Sequence, residues 1–337
     1  VFYKFIYRNV FLHMDAEVAH HLGMAFIRSL QATGLLKLLP KIANQRVSAL
    51  GLEFDGPLGM AAGFDKNAVA VRALGQLGFS HVEVGTITAH PQSGNEKPRL
   101  FRLPKDRALV NRMGFNNDGA VVVAKRLEKL RASQVELPII GVNIGKSKIT
   151  ELADAVDDYA MSTRLLAKHA DYLAVNVSSP NTVGLRSLQS VETLRPILTT
   201  VASLAEGKPV LVKIAPDLND ADIIEVAKLV LELGLAGIIA TNTTIARTGL
   251  ISSQAEVDKA GAGGLSGAPL ALRSLEVLTL IKDIVGEKAT VISVGGIESA
   301  AEVSARLEAG AALVQGYSAF IYEGPLWARK IHRALAR

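Results

Sequence analysis

Eight short apolar runs, each followed by a small or polar residue and then by a helical pattern, constrain this chain more than any other feature. They are 58–62 (LGMAA), 81–85 (HVEVG), 138–143 (PIIGVN), 172–176 (YLAVN), 209–214 (PVLVKI), 237–242 (GIIATN), 290–295 (TVISVG) and 312–316 (ALVQG). The helical stretches between them have recognisable starts. Ser299 with Glu302 forms a capping box, and Asn219 opens DADIIEVAKLVLEL before Gly234. Strands buried on both faces and alternating with helices predict a parallel sheet, and eight such units predict closure into a barrel. The expected fold is α/β: a single (β/α)8 TIM barrel over residues 46–337, preceded by an N-terminal helical arm over residues 1–45. A chain of 337 residues has room for one barrel and an extra segment, and no low-complexity stretch or long polar linker marks a second globular unit.

The arm differs in kind from the barrel, packing aromatic and aliphatic residues with few charges. Asp15 can cap a helix running to about Thr33, and Gly34 can break it before a short second apolar helix that Pro40 ends. Two roles are open to it. It can pack on the barrel, or it can lie in a membrane interface with Lys4, Arg8, Arg28, Lys37 and Lys41 among lipid headgroups. No run reaches the roughly 18 apolar residues of a spanning helix, and no signal-peptide cleavage pattern is present. The opening valine suggests a start other than the natural one.

In a barrel of this kind chemistry sits where strands end and loops begin. The residues at those ends are polar with unusual regularity: Lys66, Thr86, Asn143, Asn176, Lys213, Thr241 with Asn242, Gly295 with Gly296, and Tyr317 with Ser318. Any one of them could simply cap the next helix. Together, amides, hydroxyls and two lysines suit a planar, hydrogen-bonding ligand that carries negative charge. The loops SVGGIES and QGYSAF, after the seventh and eighth runs, stand where barrels hold a phosphate, and GAGGLSGAPL (261–270) offers another cradle of backbone amides.

Other chemistries are disfavoured. The absence of cysteine excludes disulfides, thiolate metal sites and a cysteine nucleophile, and the seven histidines show no ligand spacing, so no metal is expected. Thirty-seven basic against 32 acidic residues give a scattered net charge of +5, without the concentrated footprint of a nucleic-acid binder. GVNIGKS has one residue too few between its glycines for a P-loop, so Lys146 is expected to be a surface lysine. No GxGxxG follows a strand, which argues against a dinucleotide-binding unit.

Taken in order, GMAAGFDKN, EVGTIT, PQSGNEKPRLFRL, NRMGFNN, GVNIGK, NVSSPNTVGLRSLQ, VKIAPDL, ATNTT, GGLSGAPL, SVGGI and LVQGYSAFI resemble the dihydroorotate dehydrogenases from about Ala16 to the C-terminus. Ser179, where class 1 members carry a cysteine base, and the N-terminal arm make the chain similar to class 2, the membrane-associated, quinone-reducing branch. The resemblance implies FMN held by Ala62, Gly63, Lys66, Thr86, Asn143, Asn176, Lys213 and Thr241, with Gly267, Gly296, Tyr317 and Ser318 around its phosphate. It implies dihydroorotate bound by Lys66, by the run Asn111, Arg112, Met113, Gly114 and Phe115, and by Asn176, Asn181, Asn242 and Thr243. Asparagine suits a ring of alternating carbonyls and N–H groups because it both donates and accepts. Ser179 is the implied base at C5, with Thr182 and a water relaying its proton behind Phe115, while His20, Arg102 and Tyr317 stand at the inner end of a quinone tunnel.

The partners so implied are dihydroorotate and orotate, ubiquinone or menaquinone, and a membrane surface, for a monomer that binds no nucleic acid. The expected location is the cytoplasmic face of a bacterial inner membrane, with the mitochondrial inner membrane as the eukaryotic alternative. Rival readings are another FMN barrel, such as a hydroxy-acid oxidase or dihydrouridine synthase, and a flavin- or lipid-binding module without catalysis.

Overall fold

The computed structural model describes residues 2–40 and 45–336; Lys41, one of the arm's expected headgroup lysines, lies outside them. In chain order the strands are β1 (Val47–Ala49), β2 (Leu52–Phe54), β3 (Leu58–Met60), β4 (His81–Ile87), β5 (Leu100–Leu103), β6 (Ala108–Asn111) and β7 (Ile139–Ile144). They continue as β8 (Tyr172–Asn176), β9 (Val210–Ile214), β10 (Gly237–Ala240), β11 (Gly264–Gly267), β12 (Thr290–Val294) and β13 (Leu313–Gly316). Each of the eight apolar runs coincides with one barrel strand, β4 and β7 reaching past the ends of theirs, and these close in the order β10-β12-β13-β3-β4-β7-β8-β9, every pairing parallel.

One side-chain layer inside the barrel is apolar: Ala174, Leu211, Ile239, Ile292 and Leu313 are fully buried, with Phe54 of the β1–β2 hairpin in the same cluster. Tyr172 crosses this space so closely that a Cβ on Gly141 of β7 would stand 2.1 Å from its ring, which is why that position has no side chain. Outside, a second and larger cluster joins the strands to the surrounding helices.

Two elements escaped the sequence pattern. The β1–β2 hairpin has strands of three residues. The antiparallel sheet β11-β6-β5 is assembled from segments far apart in sequence, one of them Gly264-Leu265-Ser266-Gly267. Glycine and serine carry little strand propensity, so only the pairing with β6 makes that segment a strand.

The arm consists of helices α1 (Phe2–Asn9) and α2 (Ala16–Ala32). Asp15 caps α2, its carboxylate accepting from the amides of Glu17 and Val18 at 2.9 Å each. Gly34 takes the left-handed conformation at φ +79°, and Leu35–Leu38 then forms a 3-10 turn in place of the expected second α-helix. Leu39, ahead of Pro40, is forced to extended backbone, which leaves too few residues for α-helical bonding. No helix among the described residues is long and apolar enough to cross a membrane. Phe2, Phe5, Val10, Val18, Leu22, Phe26, Leu35 and Leu38 nonetheless face solvent.

Met24, Ile27 and Leu36 join the outer core, and polar contacts also seat the arm on the barrel. Arg102 donates to the carbonyls of Phe11 and Met14. Arg99 forms a two-pronged pair with Glu17 at 2.7 and 3.0 Å. Tyr3 donates to the Ile321 carbonyl, and Lys4 pairs with Glu323 at 2.8 Å. Lys146 contradicts its expected surface position. It is buried, and its ammonium donates to the carbonyls of Ser147 and Thr150, because the loop after β7 folds back over it beside Asp158.

Candidate active site

At the carboxyl ends of the barrel strands lies a cleft of about 160 Å³. Its floor is built on Glu83, whose carboxylate is fully buried in the middle of β4. Asn143 and Gln315 each donate to it at 2.8 Å, Tyr172 at 3.2 Å and the Lys213 ammonium at 3.4 Å. Burial alone would favour the neutral acid. The positive charge of Lys213 and the amide donors outweigh it and hold the Glu83 carboxyl below the usual range. Lys213 thus enters the cleft floor as half of a neutralised pair. The Oε1 of Gln315, which lines the same floor, is buried without a hydrogen-bond partner among the described residues. Neither Glu83 nor Gln315 was among the expected site residues. The signal was present, since a carboxylate and an amide inside runs buried on both faces need internal partners.

One wall is a chain of amides and hydroxyls at the strand ends. Thr86 donates to Asn143 at 2.6 Å and accepts from Asn176 at 2.8 Å. Asn242 donates to the Asn176 side-chain Oδ1 at 3.2 Å and to the Ser178 hydroxyl at 2.9 Å. Asn143 itself sits beneath the lining, held by Thr86 and Glu83. Above this row the loop after β8 brings Ser179 to the cleft, buried, with its hydroxyl accepting from the Asn181 amide at 3.2 Å. Asn181 in turn donates through its side chain to Asn111 at the end of β6, at 3.1 Å. Met113, Gly114 and Phe115 continue the wall, with Phe115 in the left-handed region at φ +54°.

The opposite end is shaped by glycine. A Cβ on Gly296 would lie 2.3 Å from the Ala271 backbone, and one on Gly267 would lie 2.3 Å from the Arg107 carbonyl. Backbone therefore lines the cleft there, with Ser266 and Ser318 hydrogen-bonded to each other at 2.9 Å. Ala62, Gly63, Thr241 and Thr243 also line the cleft.

The mouth toward the arm is edged by Glu17, His20 and Tyr317. His20 and Tyr317 both meet the ring of Phe64 edge-on, at 5.0 and 5.6 Å between centroids. Burial, reinforced by the nearby Lys66 charge, pulls His20 down to about 3, so its imidazole is neutral at physiological pH. Burial likewise pulls Lys66 down to about 8, while the Glu17 carboxylate pushes the other way. Its ammonium donates to the Gly63 carbonyl at 2.8 Å and faces the cleft.

Besides Asn143, three expected site residues do not line the cleft. Arg112 turns its guanidinium away to the carbonyls of Ala260 and Ala262 and over the ring of Phe101, at 4.5 Å from its centroid. Only its backbone runs along the site. Arg102 binds the arm and does not line the cleft, and Thr182 is buried behind the loop that carries Ser179. Among the described residues no cluster of three metal-binding side chains occurs.

Fold and cleft together define a (β/α)8 barrel whose C-terminal rim carries a polar, glycine-edged cleft bordered on one side by a helical arm. Comparison with known proteins makes this specific. The family profile for dihydroorotate dehydrogenase matches residues 45–337. Dihydroorotate dehydrogenase (quinone) of Pseudarthrobacter chlorophenolicus is 58% identical over 99% of this chain and 98% of its own length. The protein of that name from Leifsonia xyli subsp. xyli is 59% identical over the same shares. The crystal structure of DHODH in complex with ferulenol from Eimeria tenella has a TM-score of 0.88 at 38% identity, covering 95% of this chain and 90% of that one. The chain belongs to the dihydroorotate dehydrogenase family.

Proposed function

We infer that this protein oxidises dihydroorotate to orotate in pyrimidine biosynthesis and passes the electrons to a membrane quinone. The observation that carries the reading is the convergence of Ser179 with Asn111, Asn176, Asn181 and Asn242 on one cleft that also opens toward the arm.

FMN fits the cleft. The buried, unpartnered Oε1 of Gln315 asks for a donor from a ligand, and the Lys213 ammonium stands beside it on the floor. Backbone at Gly267, Gly295 and Gly296, together with Ser318, leaves room at the far end for a phosphate to take amide and hydroxyl hydrogens. Bound there, FMN supplies the hydride acceptor and the link to the quinone.

The chain's own residues divide the remaining work. Asparagine amides at both sides orient the pyrimidine ring, donating to its carbonyls and accepting from its N–H groups. The Lys66 ammonium balances the substrate carboxylate. Ser179 accepts the proton from C5, with Phe115 excluding bulk water and Thr182 behind the loop completing the proton path. The lysine charges at the floor and mouth stabilise the negative charge that develops as the proton leaves. The arm's exposed apolar side chains, interspersed with Lys4, Arg8 and Arg28, suit shallow insertion into a bilayer, and His20 and Tyr317 then stand between that surface and the cleft. On this reading the protein is a monomer at the cytoplasmic face of a bacterial inner membrane, with ubiquinone or menaquinone as acceptor and no nucleic-acid partner.

Replacing Ser179 with alanine tests the assignment. Anaerobic stopped-flow should find flavin reduction by dihydroorotate slowed by roughly 10²–10⁴-fold with flavin content unchanged. Reduction at the native rate would remove Ser179 from the role of base.

A further inference from the structure

The segment from Ser93 to Arg99, between β4 and β5, contributes nothing to the cleft lining, yet it touches both sides of the substrate end. Its centre is Asn95. The two hydrogens of the Asn95 carboxamide go to different parts of the chain, one to the Arg112 carbonyl at 3.0 Å and one to the Asn181 carbonyl at 3.1 Å. Its backbone amide donates to the Met113 carbonyl at 3.0 Å. The carboxamide lies so close to Gly114, at φ +69°, that a Cβ there would stand 2.7 Å from Asn95 Cγ. Asn95 therefore fixes the stretch that carries Asn111 and Phe115 to the loop that carries Ser179 and Asn181.

Asn95 is itself held from below. Arg99, almost fully buried, donates through Nη1 to the carbonyls of Ser93 and Asn95 at 2.6 and 2.8 Å. Its remaining face is the two-pronged pair with Glu17 of α2. The segment is thus wrapped around a guanidinium whose charge is neutralised by the arm. Gly94, at φ +82°, lets the chain bend over it, since a Cβ there would lie 2.3 Å from the Met113 carbonyl.

We propose that Asn95 is a positioning residue for dihydroorotate: it clamps the Ser179–Asn181 loop to the Asn111–Phe115 stretch and so sets the spacing of the amides that receive the substrate ring. The proposal rests on the activity inferred above and assigns a determinant of that site outside its lining. Without the two side-chain hydrogen bonds, the loop is tied to the stretch through the Asn181–Asn111 contact at 3.1 Å, and it gains freedom that must be lost again when substrate binds.

Two variants of the full-length holoenzyme separate positioning from packing. Asn95→Ala removes the amide and some contact with Gly114. Asn95→Leu keeps a side chain of similar shape and removes only the hydrogen bonds. Orotate affinity, read by titrating the oxidised flavin spectrum, should weaken about tenfold in both variants, in line with the loss of one or two hydrogen bonds. KM for dihydroorotate should rise in parallel, while the quinone KM and the melting temperature stay near those of the parent. Native orotate affinity in either variant would overturn the proposal, as would recovery in Asn95→Leu alone, which would make the role one of packing. Equal loss of both half-reactions would also overturn it. A parent protein whose flavin dihydroorotate does not bleach would instead refute the activity reading, a distinguishable result.

Discussion

The barrel and the arm of this protein differ in how much apolar surface they leave in water. The barrel closes eight parallel strands around an interior where nearly every side chain is buried and even its one carboxylate, Glu83, receives donors from four neighbours. The arm buries Met24, Ile27 and Leu36 in the barrel's outer core and is clasped at Arg99, Arg102, Tyr3 and Lys4, yet leaves Phe2, Phe5, Phe26 and Leu38 more than half exposed. A soluble protein gains nothing from such exposure, because apolar surface is stabilising only when it leaves water. The contrast is what a division of labour requires. On the function proposed above, the barrel holds the ring chemistry in register while the outer face of the arm meets the membrane.

Perturbations on the two sides should differ accordingly. Gly141→Ala drives a methyl to within 2.1 Å of the Tyr172 ring, whose hydroxyl is already committed to Glu83. Overpacking at so constrained a place should cost about 3 kcal/mol. Calorimetry should find the melting temperature lowered by roughly 4 °C, whereas Phe5→Ser in the arm should leave it unchanged. Comparable shifts from the two would erase the distinction.

A smaller effect concerns Lys66, which belongs to the barrel but senses the arm through Glu17. Burial lowers it to about 8, so its ammonium is charged below that pH and is lost as pH rises through it. If it balances the substrate carboxylate, KM for dihydroorotate should be flat below about pH 7.5 and climb above 8. Lys66→Met should show a raised KM with no such bend, and a bend that survives the substitution would assign it to another group.

Much of this architecture is legible in the sequence for a physical reason. A strand buried on both faces must be apolar along its length and must stop at a loop, so the eight runs announce themselves. The polar residues at their ends follow from the geometry of the fold, which sends them all to one rim. Long-range relations are not written in that way. Nothing local tells that Gly264–Gly267 pairs with β6, that Arg112 folds outward onto Ala260, or that Lys146 is covered by its own loop. Asn95 belongs to the same class, because its importance lies in carbonyls 17 and 86 residues away. Glu83 and Gln315 were within reach, since polar groups in the middle of apolar strands must be satisfied inside the barrel.

The structure also sharpens how the arm should be removed. Deleting residues 1–42 would take away Glu17 and leave the Arg99 guanidinium buried without its carboxylate, disturbing the substrate end as well as the arm. Deleting residues 1–14 spares Asp15, Glu17 and the whole of α2 while removing α1 and the carbonyls that hold Arg102. The purified 15–337 protein should be mixed anaerobically with dihydroorotate and then with a quinone in lipid vesicles, its flavin spectrum recorded at each step. Bleaching at the full-length rate, followed by reoxidation at least tenfold slower than in the full-length protein, is the expected result. Full-rate reoxidation by the vesicle-borne quinone would contradict the division between barrel and arm.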